Sequence, residues 1–158
     1  MIRRCTIVCV GRPKGWASEA SDDYAKRLRR YFPVDIIEVP EEDINRRSRE
    51  EVLSIERDRI LKRLPPHGAY VISLDRERGQ RRSSEQLAKK LENLGASGQS
   101  HVAFVIGGPL GLSPEVLTNS RELWSFGGIT LPHALARIVL LEQLYRAVKI
   151  QRGEKYHW

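Results

Sequence analysis

The sequence predicts an α/β protein in which a mostly parallel sheet of five to six strands lies between helices. Short apolar runs alternate along the chain with longer segments of helical spacing. Two of these runs, AYVISL and HVAFVI, are almost entirely apolar, which is typical of parallel strands buried on both faces. In two of the helical segments, a Ser is followed three residues later by Glu or Gln, which is a helix-capping pattern.

The first strand is predicted over Ile2–Val10, and the GRPKG segment that follows ends it. A helix comes next, with Ser18 or Ser21 as its expected cap. Its apolar positions recur at helical spacing, at Tyr24, Leu28, Tyr31 and Phe32.

The second strand is predicted over Val34–Val39. Ser48 and Glu51 then open a helix that extends to about Leu64, where PPHG ends it. A third strand, Ala69–Leu74, leads to another capped helix. That cap is expected from Ser83 with Gln86, and the apolar positions of the helix are Leu87, Leu91 and Leu94.

The fourth strand, His101–Ile106, leads into the glycine-rich segment GGPLG. A short helix is expected over 113–119, and ELWSF provides a fifth strand. Pro132 suits the first turn of a long final helix, LPHALARIVLLEQLYRAVKI. This helix is apolar on most of its sides, so it is either deeply buried or packed against a second subunit. We expect a homodimer, and a single domain over residues 1–158.

The charge balance favours a polyanionic partner. The chain has 27 Lys and Arg against 20 Asp and Glu, a formal charge of +7. Such a balance suits RNA, and it equally suits a solubilising surface. No apolar run approaches the roughly 20 residues of a membrane span, and no signal peptide is evident, so a cytoplasmic location is expected. Cys5 and Cys9 are expected to be buried thiols, and the scattered histidines predict no metal site.

The segment FVIGGPLGLSP raises the question of a ligand, because its glycines would let the main chain approach one closely. It has no Lys for a Walker phosphate loop, and it follows the fourth strand rather than the first, unlike a dinucleotide fingerprint. A tight strand-to-helix turn that binds no ligand is the alternative interpretation of this segment. However, the third, fourth and fifth predicted strands each end in a polar or glycine-rich turn. In open α/β sheets, ligands bind at the carboxyl ends of the strands, so these three turns could line one pocket.

The motifs FVIGGPLGLSPEV and ITLPHALARIVLLEQLYRA, with the terminal Tyr156–His157, resemble the SPOUT-class RNA methyltransferases. More narrowly they resemble the RlmH family, which methylates N3 of a pseudouridine in bacterial large-subunit (23S) rRNA. The resemblance covers essentially the whole chain. It implies a C-terminal trefoil knot, an obligate dimer and S-adenosylmethionine (SAM) as cofactor. By correspondence, the cofactor contacts fall on Leu74, Gly107, adjacent Gly108, Phe126, Gly127, Gly128, Ile129, Thr130 and Leu131.

The resemblance also implies roles at the end of the chain. N3 of pseudouridine must lose its proton, and His157 is the expected base because imidazole titrates near neutrality. Arg146 would stabilise charge on the uracil ring or grip a phosphate, and Tyr156 would stack on or orient the base. Structural interpretations stand beside these: a frayed end for Tyr156 and His157, and an ion pair between Arg146 and Glu142.

Two other functions are alternatives. A nucleotide-binding oxidoreductase is disfavoured because the first strand lacks the dinucleotide fingerprint. A non-catalytic RNA- or ribosome-binding protein would use only the basic surface. Affinity for SAM distinguishes all three.

Overall fold

The structure, a computed structural model, describes residues 1–156. Its strands are β1 (Arg4–Val10), β2 (Val34–Val39), β3 (Tyr70–Leu74), β4 (Gln80–Arg81), β5 (His101–Ile106) and β6 (Glu122–Ser125). Its helices are α1 (Gly15–Leu28), α2 (Arg49–Arg63), α3 (Ser84–Ala96), α4 (Pro114–Thr118) and α5 (His133–Gln151). The alternation expected from the sequence is therefore confirmed, and the predicted bounds of β2 and β5 agree with the structure.

The strands form one sheet in the order β2-β1-β5-β3-β6-β4, and every neighbouring pair is parallel. The two-residue strand β4 was not expected from the sequence. It adds an edge to β6 by pairing Gln80 with Trp124. Because all strands run the same way, β3, β5 and β6 end at a common edge, the carboxyl edge, with β3 in the middle.

Helices cover both faces of the sheet. On one face, α1, α3 and α5 bury a cluster that includes Leu28, Leu91 and Leu144. Phe104 and Trp124 join it from the sheet with ring centroids 5.3 Å apart in an edge-on arrangement. On the other face, α2 and α4 bury a smaller cluster containing Val8, Val10, Val105, Ile60 and Val116.

Two of the expected helix caps are present. Ser48 Oγ accepts from the Glu51 amide at 3.2 Å, and Ser83 with Gln86 forms a reciprocal capping box. The expected cap of α1 was wrong. That helix begins at Gly15, three residues before Ser18 and six before Ser21, at the end of the GRPKG turn and without a side-chain cap. Ser21 is instead buried inside the helix.

The apolar surface of α5 divides into two parts. Leu140, Leu141 and Leu144 are fully buried within the protomer, so much of the all-round apolar pattern belongs to its own core. Other apolar side chains of the helix, at Leu135 and Ile138, remain half-exposed. In residues 1–156, no helix combines the length and apolar character needed to cross a membrane.

Both cysteines are buried free thiols, as expected. Burial raises the pKa of Cys9 to about 11, with Arg137 opposing the effect, and raises that of Cys5 further. Both groups are therefore unreactive thiols at neutral pH.

Candidate functional site

The three segments proposed to bind a cofactor meet at the carboxyl edge. Strand β3 pairs with β5 on one side and β6 on the other. Leu74 ends β3, Gly107 directly follows β5, and Phe126 directly follows β6. The sheet order thus makes neighbours of segments that lie far apart in sequence.

The glycines of the β5 loop are required by space and by backbone conformation. A Cβ on Gly107 would lie 2.6 Å from the carbonyl oxygen of Gly111, so no side chain fits there. Gly108 and Gly111 form a tight turn, in which the Gly111 amide donates to the Gly108 carbonyl at 3.0 Å. Gly111 has a φ of +79°, which favours glycine. The turn leads into α4, which Ser113 caps.

The β6 loop is tied to the loop after β3. Ser125 Oγ donates to the Arg76 carbonyl at 2.9 Å, and Arg76 Nη1 donates to the Gly128 carbonyl at 3.0 Å. Gly127 has a φ of +117°, which L side chains rarely adopt. The Gly127–Gly128 pair therefore allows the chain to turn back across the edge, while Ile129 at its tip is 71% exposed.

Two of the expected site residues, Arg146 and Tyr156, meet beside α5. Together with Glu142 and Tyr145 they form what we call the tail cluster. The Tyr156 hydroxyl donates to Glu142 Oε1 at 3.2 Å, and the Arg146 guanidinium carbon lies 4.9 Å from the Tyr156 ring centroid. The Tyr145 ring meets that of Tyr156 edge-on at 4.9 Å. The structure therefore brings Arg146 and Tyr156 together.

Protonation in the tail cluster is well defined. Burial, with hydrogen bonding to Tyr24 and the nearby charge of Glu142, raises the pKa of Tyr156 well above its usual range. Hydrogen bonding to Glu142 raises the pKa of Arg146. At neutral pH the cluster thus holds a neutral phenol and a cationic guanidinium. The expected ion pair of Arg146 with Glu142 is present at 2.6 Å. His157 lies outside the described residues.

Glu154 anchors the turn that brings Tyr156 back onto α5. Its carboxylate accepts from Lys149 at 2.5 Å, from Arg152 at 2.6 Å and from the Tyr31 hydroxyl at 3.1 Å. These hydrogen bonds, with that of Lys149 the largest, lower the pKa of Glu154 to about 2. The segment that precedes His157 is therefore packed and charge-paired rather than frayed.

Two residues at the carboxyl edge were not identified from the sequence. Arg137 is buried and donates from Nη2 to the Gly11 carbonyl at 3.2 Å and to Glu38 at 3.0 Å, which fixes the start of α5 against the end of β1. Glu56 is buried below the glycine turn, with Oε1 3.3 Å from the position that a Gly108 Cβ would take. Desolvation raises the pKa of Glu56. A single charged residue within a helical pattern is ordinarily exposed, so the sequence could not predict that these two side chains are buried.

The two parts of the site offer different chemistry. The carboxyl edge presents glycine-rich loops with open space where a Cβ on Gly111 or Gly127 would lie, and the tail cluster presents an aromatic ring beside a fixed cation. His133 packs under Gly11 at the start of α5. Within residues 1–156, no group of three or more His, Cys, Asp or Glu side chains is placed to hold a metal ion.

Comparison with known proteins agrees with this architecture. A family model described as "Predicted SPOUT methyltransferase" matches residues 3–157. A protein of Rubrobacter xylanophilus named "Ribosomal RNA large subunit methyltransferase H" is 65% identical over the whole of both chains. A protein of the same name from Acetivibrio thermocellus is 44% identical, covering 98% of this chain and 99% of its own.

A solved structure supports the fold alone. The probable methylase family protein from Haemophilus influenzae superposes with a TM-score of 0.54 at 15% identity, covering 98% of this chain and 70% of that one. With the family model spanning nearly every residue and relatives aligned from end to end, this chain belongs to the SPOUT methyltransferase family.

Proposed function

We propose that this protein is an enzyme that transfers a methyl group from SAM to N3 of a pseudouridine in 23S rRNA of the large ribosomal subunit. The convergence of the β3, β5 and β6 loops at one edge carries this proposal, because it brings the three segments expected to bind SAM next to one another. The names of relatives that are 65% and 44% identical supply the substrate class. The proposal includes a single domain over residues 1–158, a cytoplasmic location and the C-terminal trefoil knot.

The residues at the carboxyl edge fit SAM as a ligand. SAM would supply the methyl group and needs no metal. Leu74, Gly107, Gly108 and the run 126–131 would hold it largely through main-chain groups, because the glycines among them carry no side chain of their own. The Arg76 link between two of the loops keeps this cradle in a fixed shape. Holding donor and acceptor in line is the main contribution of such an enzyme.

The tail cluster would handle the acceptor base. Arg146 would stabilise negative charge that develops on the uracil ring, and Tyr156 would stack on or orient the base. Because the pKa of Tyr156 is raised, its phenol is a hydrogen-bond donor rather than a base at neutral pH. His157 is therefore the group that we assign to remove the N3 proton.

We also propose a homodimer in which the tail cluster of one protomer faces the cofactor loops of its partner. Residues 133 and 146 of α5 are separated by about 20 Å along the helix, and the 126–131 run ends just before residue 133. Exposed Trp16 and Ile129, with half-exposed Ile138 on α5, provide apolar surface for a second copy.

Single-turnover methyl transfer to large subunits that carry the pseudouridine tests the activity, with nucleoside mass spectrometry identifying the product. We expect N3-methylpseudouridine, and deletion of 156–158 is expected to abolish it while SAM affinity persists. Tight binding of rRNA with no SAM binding would instead support a non-catalytic RNA-binding protein.

Mixed dimers test the shared site. An Arg146→Ala protomer paired with a Gly107→Val protomer retains one intact combination if the tail cluster acts on the partner's cofactor. We expect the mixture to be far more active than either variant alone. A monomer in sedimentation, or an inactive mixture of verified heterodimers, would refute the shared site.

A further inference from the structure

A basic groove lies at the edge of the sheet opposite the candidate cofactor loops. It has a volume of about 820 Å³ and opens where β1, β2 and β5 begin. We call it the amino-edge groove. It lies on the face covered by α2, and its basic lining residues are Arg4, Arg29, Lys62, Arg63, His67 and His101.

The floor of the groove is a polar part of the sheet. Side chains alternate along a strand, so Arg4 and Thr6 share a face with Val8, which packs in the α2 cluster. Arg4 pairs with Asp35 on the neighbouring strand at 2.8 Å. Thr6 Oγ1 and His101 Nε2 are hydrogen-bonded at 2.9 Å. The helix covers the apolar half of this face, and the Arg4 and Asp35 side chains at the strand starts remain exposed.

The walls carry cations that are available to a ligand. Lys62 and Arg63 end α2 and are exposed, and His67 follows on the next turn. Among residues 1–156, none of these three makes a hydrogen bond or ion pair with another side chain. Arg29 is oriented by the bond from its Nε to the Val34 carbonyl at 3.0 Å. Asp35 is the acidic residue of the lining, and Arg4 neutralises it.

We propose that the amino-edge groove binds phosphodiester groups of the RNA substrate, at a distance from the methylated base. This inference rests on the proposed function and names a second contact of the same substrate. The seven residues of β1 span about 23 Å from this groove to the carboxyl edge. An RNA strand of several nucleotides bridges that distance, so the groove fixes the register of the RNA while the loops and tail cluster act on one base.

The chemistry favours a run of phosphates over a free nucleotide. The cations come from three separate places, β1, the residue that follows α1 and the end of α2, and they spread around an open groove. A single phosphate is usually bound by clustered main-chain amides at a glycine loop or helix N-terminus. Here the helix end that lines the groove is the C-terminal end of α2, so side-chain cations must supply the attraction.

A double variant, Lys62→Ala with Arg63→Ala, tests the groove. Its matched control is Arg46→Ala with Lys89→Ala, which removes the same charge from exposed positions elsewhere. The dissociation constant for large-subunit rRNA is measured against salt concentration. For the groove variant we expect weaker binding and a salt slope smaller by about 1 per lost phosphate contact. The control is expected to keep the wild-type slope.

Kinetics separate this proposal from the proposed function. The groove variant is expected to show a raised KM for rRNA, with kcat and SAM affinity unchanged. If the groove variant is active and has the same salt slope and the same KM as the control, the groove proposal is wrong and the proposed function still stands. If the wild type transfers no methyl group but the groove variant still loses RNA affinity and slope, the groove stands and the proposed acceptor fails. Adenosine monophosphate binding that depends on Lys62 and Arg63, with an unchanged RNA slope, would instead assign the groove to free nucleotides.

Discussion

The hydroxyl of Tyr156 and the guanidinium of Arg146 share one acceptor, Oε1 of Glu142, at 3.2 and 2.6 Å. Tyr156, near the end of the chain, is thereby fixed to a helix residue fourteen positions earlier. This shared carboxylate positions both groups that we assign to the acceptor base.

Arg146→Ala is expected to lower the single-turnover rate of methyl transfer about 100-fold, because it removes a preorganised cation from the reacting ring. Arg146→Lys is expected to recover only part of the rate, since an ammonium cannot reproduce the two guanidinium contacts with Glu142. SAM affinity, measured by calorimetry, serves as the control and should not change. Equal rates for the Ala variant and the wild type would remove Arg146 from the mechanism.

Gly107→Val is expected to abolish SAM binding, because its side chain would collide with the main chain of Gly111. Gly98→Asn is the matched control: Gly98 has a positive φ that Asn tolerates, and a Cβ there meets no atom within 4 Å. Calorimetry with SAM, alongside circular dichroism for folding, distinguishes loss of the cradle from loss of the fold. A folded Gly107→Val protein with wild-type affinity would contradict the assignment.

Glu38→Gln is expected to reduce the free energy of unfolding by about 1.5–3 kcal/mol, because the buried guanidinium of Arg137 loses its charged acceptor. Arg12→Ala removes the other partner of the same carboxylate. Arg12 is highly exposed, so this control should cost at most about 1 kcal/mol. Urea unfolding monitored by tryptophan fluorescence provides both values. Equal losses would show that burial of Arg137 does not govern the strength of the interaction.

His101 is expected to make stability depend on pH. Burial, and then the charge of Arg4, lower its pKa below the usual 6.5, while Asp35 opposes them. The unfolded chain therefore binds a proton more readily than the folded one. The contribution of His101 is fully present above about pH 6.5 and is lost as pH falls towards the folded pKa.

His101→Gln, which can keep the hydrogen bond to Thr6, should flatten the loss of stability between pH 7 and pH 5. Urea midpoints across this range measure the effect, and His67→Gln, at an exposed position, is the control. An identical pH profile for wild type and His101→Gln would contradict the lowered pKa.

The sequence could predict the elements and the caps because these depend on neighbouring residues. The Ser48–Glu51 and Ser83–Gln86 pairs operate within one helical turn. Short apolar runs were sufficient to predict the bounds of β2 and β5. Strand β4 was missed because two residues carry no periodicity. The start of α1 was misplaced because a preceding turn, rather than a serine, determines it.

For the candidate site too, some features follow from the sequence and others from the tertiary structure alone. The sequence by itself determined an α/β chain with glycine-rich strand ends, and its motifs determined the family and the residues to expect. Only the tertiary structure decided that β3 lies between β5 and β6, that Glu142 holds both Arg146 and Tyr156, and that polar starts of three strands face one groove. These relationships join residues distant along the chain. Strand pairing and helix packing create them, and local spacing does not encode such contacts.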